Sequence, residues 1–100
     1  MKRYFGDRTI DGTLVTVDGH ALAPRSDLKP GFKGFEWGYE GEAPAHLALA
    51  LLADHLGDVQ RAIARHDAFM RAIVANFNNE WEMSGADIDT ALANLSAAAA

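Results

Sequence analysis

A chain of 100 residues without cysteine forms one domain, and it can hold neither a disulfide framework nor a thiolate metal site. Its longest apolar run, residues 47–53, is about a third of the length of a transmembrane helix, so we expect no membrane span. The N-terminal segment becomes charged too early for a signal peptide. These features predict a cytoplasmic protein.

Charge is distributed unevenly along the chain, whose net charge is −5. Residues 1–33 carry six Lys or Arg and four Asp, whereas residues 34–60 carry five acids and no Lys or Arg. An acidic segment of this kind repels nucleic-acid phosphates and attracts basic surfaces. A solvated face that only maintains solubility has the same composition, so both interpretations stay open.

Residues 1–23 predict a three-stranded antiparallel meander. Asp11-Gly12 and Asp18-Gly19 are strong hairpin-turn signals, and they enclose the β-branched run at residues 13–17. Gly6, in the first strand, is a candidate β-bulge.

Residues 24–43 predict a loop that contains an aromatic-acidic segment. Between Pro24 and Gly34 there are two Pro, two Gly and three basic residues without periodicity, so we expect this part to be the most mobile. The stretch 35–39 is aromatic at each odd position. It either adds an edge strand or packs as an ordered turn.

Residues 44–96 predict three helices. Pro44 suits the first turn of a helix that stops at Gly57. Asp58 caps a second helix that extends to about Phe77. A third helix begins where Ser84 is followed three residues later by an acid.

Strands that precede helices favour an α+β fold, with the three helices packed on one face of the sheet. We expect a single domain over residues 1–100 and a frayed alanine tail at residues 97–100. The predicted core comprises Val15, Val17, Leu47, Leu51, Leu52, Ile63, Met70, Ile73, Phe77, Ile88 and Leu92.

The residue pattern does not predict a catalytic or metal site. The four histidines lack the i, i+4 spacing of a helical metal pair. None of the serines lies at a strand-to-helix elbow, and a small domain has little room for two convergent carboxylates in a cleft. We therefore predict neither an enzyme nor a cofactor.

Residues 35–42, the aromatic-acidic segment, are the first candidate binding surface. Trp and Tyr are enriched at binding hot spots, and neighbouring acids select a basic partner. Phe35 and Trp37 are better explained as core anchors. The predicted partner contacts are Glu36, Tyr39, Glu40 and Glu42.

The basic loop formed by Arg25, Lys29 and Lys33 is the second candidate surface. Together with other residues of the N-terminal third, it offers an alternative function as a weak nucleic-acid binder. These additional residues are Lys2, Arg3, Tyr4, Phe5, Arg8 and Phe32. The acidic net charge opposes this alternative.

A longer pattern resembles a small uncharacterised family of bacteria, phages and mobile elements, a domain of unknown function. The residues that carry the resemblance are Phe35–Tyr39, Gly41, Pro44, Ala45 and Leu47–Asp58, with looser matches at Tyr4, Gly6, Arg8, Phe69 and Trp81. The resemblance transfers no catalytic residue. It implies a phage or prophage setting.

Composition and this setting together suggest a protein-binding inhibitor of the anti-CRISPR type. Such a protein would occlude a basic surface on a host nucleoprotein complex in the bacterial cytoplasm. A homodimer is compatible with the small core. A generic accessory or regulatory domain is the alternative.

Overall fold

The computed structural model describes residues 2–99, with side chains described through residue 97. Its strands are β1 (Arg3–Thr9), β2 (Gly12–Val17), β3 (His20–Ala21) and β4 (Glu80–Ser84). Its helices are α1 (Glu42–Leu56), α2 (Val59–Ala72) and α3 (Gly85–Ala99), with a 3₁₀-helix at Val74–Asn76. The fold class is α+β, as predicted, and the strands form one antiparallel sheet in the order β3-β2-β1-β4.

The sheet has four strands, so the predicted three-stranded meander was incomplete. β4 lies within residues 44–96, which we predicted to be entirely helical, and it pairs with β1 from Arg3↔Ser84 to Asp7↔Glu80. Its burial alternates between exposed and buried residues, the period of a half-buried strand. The partner strand lies at the opposite end of the chain, so the sequence contains no hairpin turn that would predict the pairing.

Both predicted hairpins form, with one shift in register. The first turn is centred on Ile10 and Asp11, so Gly12 begins β2 at φ 120° and does not lie in the turn. The second turn is as predicted, because Asp18 and Gly19 both have positive φ, at 50° and 82°. Two central residues with positive φ are what a type I′ turn requires.

Gly6 does not form the bulge that its position suggested. β1 pairs without interruption on both sides, and Gly6 lies directly opposite Trp81 of β4. A Cβ atom at Gly6 would overlap the Trp81 indole. That indole contacts Trp37 edge to face at 5.7 Å and stacks on Phe77 at 4.3 Å. Glycine therefore provides the space for an aromatic cluster, which consists of Trp37, Phe77 and Trp81.

The helices cover one face of the sheet, as predicted. Tyr4 and Val15 are buried on the helix side, whereas Leu14 is 57% exposed on the opposite face. The Tyr4 hydroxyl donates a 2.6 Å hydrogen bond to the Asp54 carboxylate and thereby ties β1 to α1. Burial, together with this carboxylate, raises the pKa of Tyr4.

The central helix of the core is α1, in which residues 44–53 are all buried. A helix that is apolar on every side is typical of such a position. It begins at Glu42, slightly before the predicted start. It ends at Gly57 as expected, with φ 63° and a bond from the Gly57 N–H to the Ala53 carbonyl.

The second helix is shorter than predicted. The Asp58 cap forms, since its carboxylate accepts the Arg61 N–H at 3.1 Å, but α2 ends at Ala72 and does not reach Phe77. The Asn76 side-chain amide donates to the Ala72 carbonyl at 2.9 Å. Local side-chain bonding of this kind competes with continuation of a helix.

The capping motif of the third helix is confirmed. The Asp87 carboxylate accepts the Ser84 N–H at 2.9 Å, and the Ser84 hydroxyl accepts the Asp87 N–H at 3.1 Å. The backbone is helical through Ala99. Residue 100, part of the tail that we expect to fray, lies outside the described residues.

Most of the predicted core is confirmed, and Ile63 is the exception. Val15, Leu47, Leu51, Leu52, Met70, Ile88 and Leu92 are buried, and Val17, Ile73 and Phe77 are half-buried against them. Ile63 is 44% exposed. The buried residues of α2 are Ala62, Phe69 and Met70, and a one-residue step rotates Ile63 away from that stripe.

Gly6→Ala should lower the free energy of unfolding by about 1–3 kcal/mol, because the added methyl group overpacks the site of the Trp81 indole. Urea denaturation measures this cost. The same substitution should cost much less in a Trp81→Leu background. Equal costs in the two backgrounds would show that the indole is not the cause.

Candidate functional site

The Arg8 guanidinium joins three segments of the chain at one end of β1. One nitrogen, Nη1, donates to Asn79 Oδ1 at 2.8 Å, and Nη2 donates to Glu36 Oε1 at 2.8 Å and to the Trp37 carbonyl at 2.6 Å. The guanidinium carbon also lies 4.9 Å from the centroid of the Trp37 ring, within cation–π range. A planar, five-donor group suits such a set of contacts better than a lysine ammonium.

The aromatic-acidic segment packs as an ordered turn, so the edge-strand alternative was wrong. The Phe35 carbonyl accepts from the Thr13 hydroxyl at 2.7 Å, and the Gly38 N–H donates to the Val74 carbonyl at 3.0 Å. These partners replace a strand ladder. Phe35 and Trp37 are buried, which confirms that they are core anchors.

A groove of about 870 Å³, open to solvent, separates residues 36–39 from residues 77–80. Trp37 and Phe77 of the aromatic cluster are among its lining residues, and of these two Trp37 is fully buried and Phe77 is half-buried. Tyr39, on its lining, is 50% exposed. The lining residues are Arg8, Glu36, Trp37, Gly38, Tyr39, Phe77, Asn78, Asn79 and Glu80. The groove is thus lined mainly by polar residues, with Tyr39 and Phe77 as its partly exposed aromatic residues.

Each of the three predicted acidic contacts has a cationic partner within the chain. Glu36 is held by the guanidinium described above. Glu40 lies 3.9 Å from the Arg71 Nε, and Glu42 lies 2.9 Å from the Lys29 Nζ. The hydrogen bond from Lys29 lowers the pKa of Glu42. The acidity of this segment is therefore partly offset by neighbours that are distant in sequence.

The three cationic residues of the basic loop have different surroundings. Arg25 makes two 3.0 Å hydrogen bonds to Asp27, and side-chain hydrogen bonding from Arg25 is the main cause of the lowered pKa of Asp27. Lys29 and Lys33 line a separate cavity of about 280 Å³ at the start of α1. The other basic residues of the N-terminal third also have carboxylate partners: Lys2 with Asp54, Arg3 with Glu82 and Arg8 with Glu36.

Three carboxylates among residues 2–99 have neither an ion pair nor a hydrogen bond: Asp7, Asp11 and Glu80. Asp7 of β1 lies directly opposite Glu80 of β4, on the sheet face away from the helices. Like charges in such a pair are destabilising. This arrangement depends on the β1–β4 register, so the linear charge pattern does not reveal it.

Sequence reasoning missed one wall of the groove, residues 77–80, and the role of Arg8 in holding both walls together. The usable signal was the alternation of polar and apolar residues at 80–83, which predicts a strand. A predicted strand at this position would have placed Asn78 and Asn79 directly before the first residue of the strand.

Residues 2–99 offer neither a metal-binding cluster nor a membrane-spanning helix. No group of three His, Asp or Glu side chains in this range is arranged to hold a metal ion. No helix in the same range has both the length and the apolar character needed to cross a membrane.

Glu80→Gln should raise the free energy of unfolding by about 0.2–1 kcal/mol, because it removes the repulsion from Asp7. Urea denaturation at low salt measures this gain, which should shrink at high salt. Glu42→Gln is the matched control and should give no gain, since Glu42 has an ion pair to lose. An unchanged stability in Glu80→Gln would mean that the two carboxylates do not interact.

Comparison with known proteins identifies a family but not an activity. No curated protein and no solved structure matches this chain. A model described as a family of unknown function, DUF6166, matches residues 4–94. This range contains the groove, nearly all of the sheet and most of the helical part. The chain therefore belongs to the DUF6166 family of unknown function.

Proposed function

We propose that this chain is a non-enzymatic protein-binding module that engages its partner at the groove beside the aromatic-acidic segment. The observation that carries the proposal is the half-exposed Tyr39 on the lining of an open groove. Phe35 and Trp37 are buried in the core, so Tyr39 is the aromatic residue of the segment that is exposed for contact with a partner.

The Tyr39 ring is also partly pre-positioned. A Cβ atom at Gly41 would lie 3.1 Å from Tyr39 Cε2, so the ring rests close to the Gly41 backbone. A side chain that is already restrained loses less conformational entropy on binding. Tyrosine is also one of the residues enriched at binding hot spots.

The composition of the groove resembles that of a protein interface. Its lining combines the aromatic residues Tyr39 and Phe77 with the polar residues Asn78, Asn79 and Glu80, and protein interfaces commonly combine aromatic residues with polar groups at the rim. Small-molecule pockets instead enclose most of the ligand surface. The open shape of this groove therefore favours a protein partner.

A partner with a basic surface fits the charge around Tyr39. Glu40 is well exposed, and its contact with Arg71 is long at 3.9 Å, so a lysine or arginine of the partner can compete for it. Glu36 and Glu42 add negative charge from positions that are already ion-paired. Rim charges of this kind act mainly on the rate of association.

The proposed biological setting is a phage or mobile element, with the protein acting in the bacterial cytoplasm. In this proposal the chain is a counter-defence inhibitor of the anti-CRISPR type, and it occludes a basic surface of a host nucleoprotein complex. The support is the net charge of −5, together with the resemblance to small phage and prophage proteins.

Tyr39→Ala should weaken binding to the partner by about tenfold or more, as expected for truncation of a hot-spot residue. The partner is first isolated from a bacterial host with the wild-type chain as bait, and its affinity for each purified variant is then measured by calorimetry. Ile63→Ala, at a similarly exposed position on α2, should bind like the wild type. Equal affinities for Tyr39→Ala and the wild type would contradict the proposed role of the groove.

A further inference from the structure

The outer edge of β4 carries unpaired backbone groups. Within residues 2–99, no strand lies beyond β4 in the sheet. The Arg8 N–H donates a hydrogen bond to the Asn79 carbonyl, and the Gly85 N–H donates one to the Lys2 carbonyl. In an antiparallel pair, only alternate residues of a strand direct their backbone groups to the neighbouring strand. The odd-numbered residues of β4 therefore form the hydrogen bonds to β1. The N–H and C=O groups of Glu80 and Glu82 consequently point outward.

The side chains along this edge combine negative charge with an apolar base. A shallow cavity of about 310 Å³ is lined by Phe5, Glu80, Trp81 and Glu82. Asp7 and Glu80 are also two of the three carboxylates without a partner among residues 2–99. Lysine and arginine match such a surface, because their apolar stems pack on rings while their charged ends reach carboxylates.

Charge also distinguishes between the occupants of this edge. Antiparallel pairing of β4 with a second copy would bring the exposed Glu80 and Glu82 of both copies together, and like charges across strands are destabilising. Nucleic-acid phosphates would be repelled by the same carboxylates. A protein strand that carries cationic side chains avoids both penalties.

We propose that the β4 edge binds an extended, lysine- or arginine-containing segment of a partner protein, which adds to the sheet as a fifth strand. This mode is β-strand addition, in which backbone bonds provide affinity and side-chain sites provide specificity. The proposal rests on the proposed function, which it deepens by naming the partner segment. Glu80 lines both the edge cavity and the groove, so the proposed strand site adjoins the groove that Tyr39 lines.

The test uses a synthetic ten-residue peptide of alternating lysine and valine, with the full chain and its variants. Amide hydrogen exchange of Glu80 and Glu82 should slow when the peptide is bound, because their N–H groups gain acceptors. Glu80→Lys should weaken peptide binding by about tenfold or more. Asp67→Lys makes the same change in net charge on an exposed carboxylate of α2, outside the groove and the edge cavity, and should bind the peptide within about twofold of the wild type.

A second peptide, N-methylated on its lysine residues, keeps the charge but blocks the backbone edge that pairs with β4 when the lysine side chains face Glu80 and Glu82. It should not protect the two amides. Equal binding of both peptides, equal weakening by Glu80→Lys and Asp67→Lys, or amide protection without any peptide through self-association would each overturn the proposal.

The partner that is isolated with the wild-type chain allows the edge proposal and the groove proposal to be tested separately. If that partner binds Tyr39→Ala weakly but leaves the Glu80 and Glu82 amides unprotected, the edge proposal fails and the groove stands. If it protects these amides but binds Tyr39→Ala normally, the edge stands and the groove fails.

Discussion

The charge-assisted bonds of the Arg8 guanidinium are the interaction on which the candidate site depends. They connect the end of β1 to Glu36, to the Trp37 carbonyl and to Asn79. Hydrogen bonds to charged groups contribute about 1.5–3 kcal/mol each, more than neutral ones. The groove is the space between the two chain segments that this one side chain joins. Its shape therefore follows from the position of Arg8 on the strand.

The inner face of β1 links this site to the rest of the fold. Strand alternation places Tyr4, Gly6 and Arg8 on the same side. The Tyr4 hydroxyl donates a hydrogen bond to Asp54 of α1. Gly6 has no side chain and therefore leaves space for the Trp81 indole. The Arg8 guanidinium donates hydrogen bonds that hold the groove in place. The outward face of the same strand carries Asp7, which faces Glu80 across the β4 pairing. One strand thus organises the core, the groove and the acidic edge.

Local signals were sufficient for much of the fold, and non-local pairing accounts for what they missed. The Asp18-Gly19 turn and the Ser84 cap were predictable because their chemistry is complete within a few residues. β4 was missed because its partner strand is at the opposite end of the chain. The Lys29 partner of Glu42 was missed for the same reason, since the two side chains are adjacent only in the folded chain. Tyr39 was correctly expected to be exposed, because it follows two aromatic residues that already serve the core.

The most direct measurement of the role of Arg8 is amide hydrogen exchange of the Arg8→Met variant, which keeps the apolar stem and removes the cation. If Arg8 holds the aromatic-acidic segment in place, the Gly38 N–H, bonded to the Val74 carbonyl, should exchange about tenfold faster or more, because local opening becomes easier. Amides inside α1, such as that of Leu51, should be much less affected. Unchanged protection of Gly38 in a folded Arg8→Met variant would contradict the account.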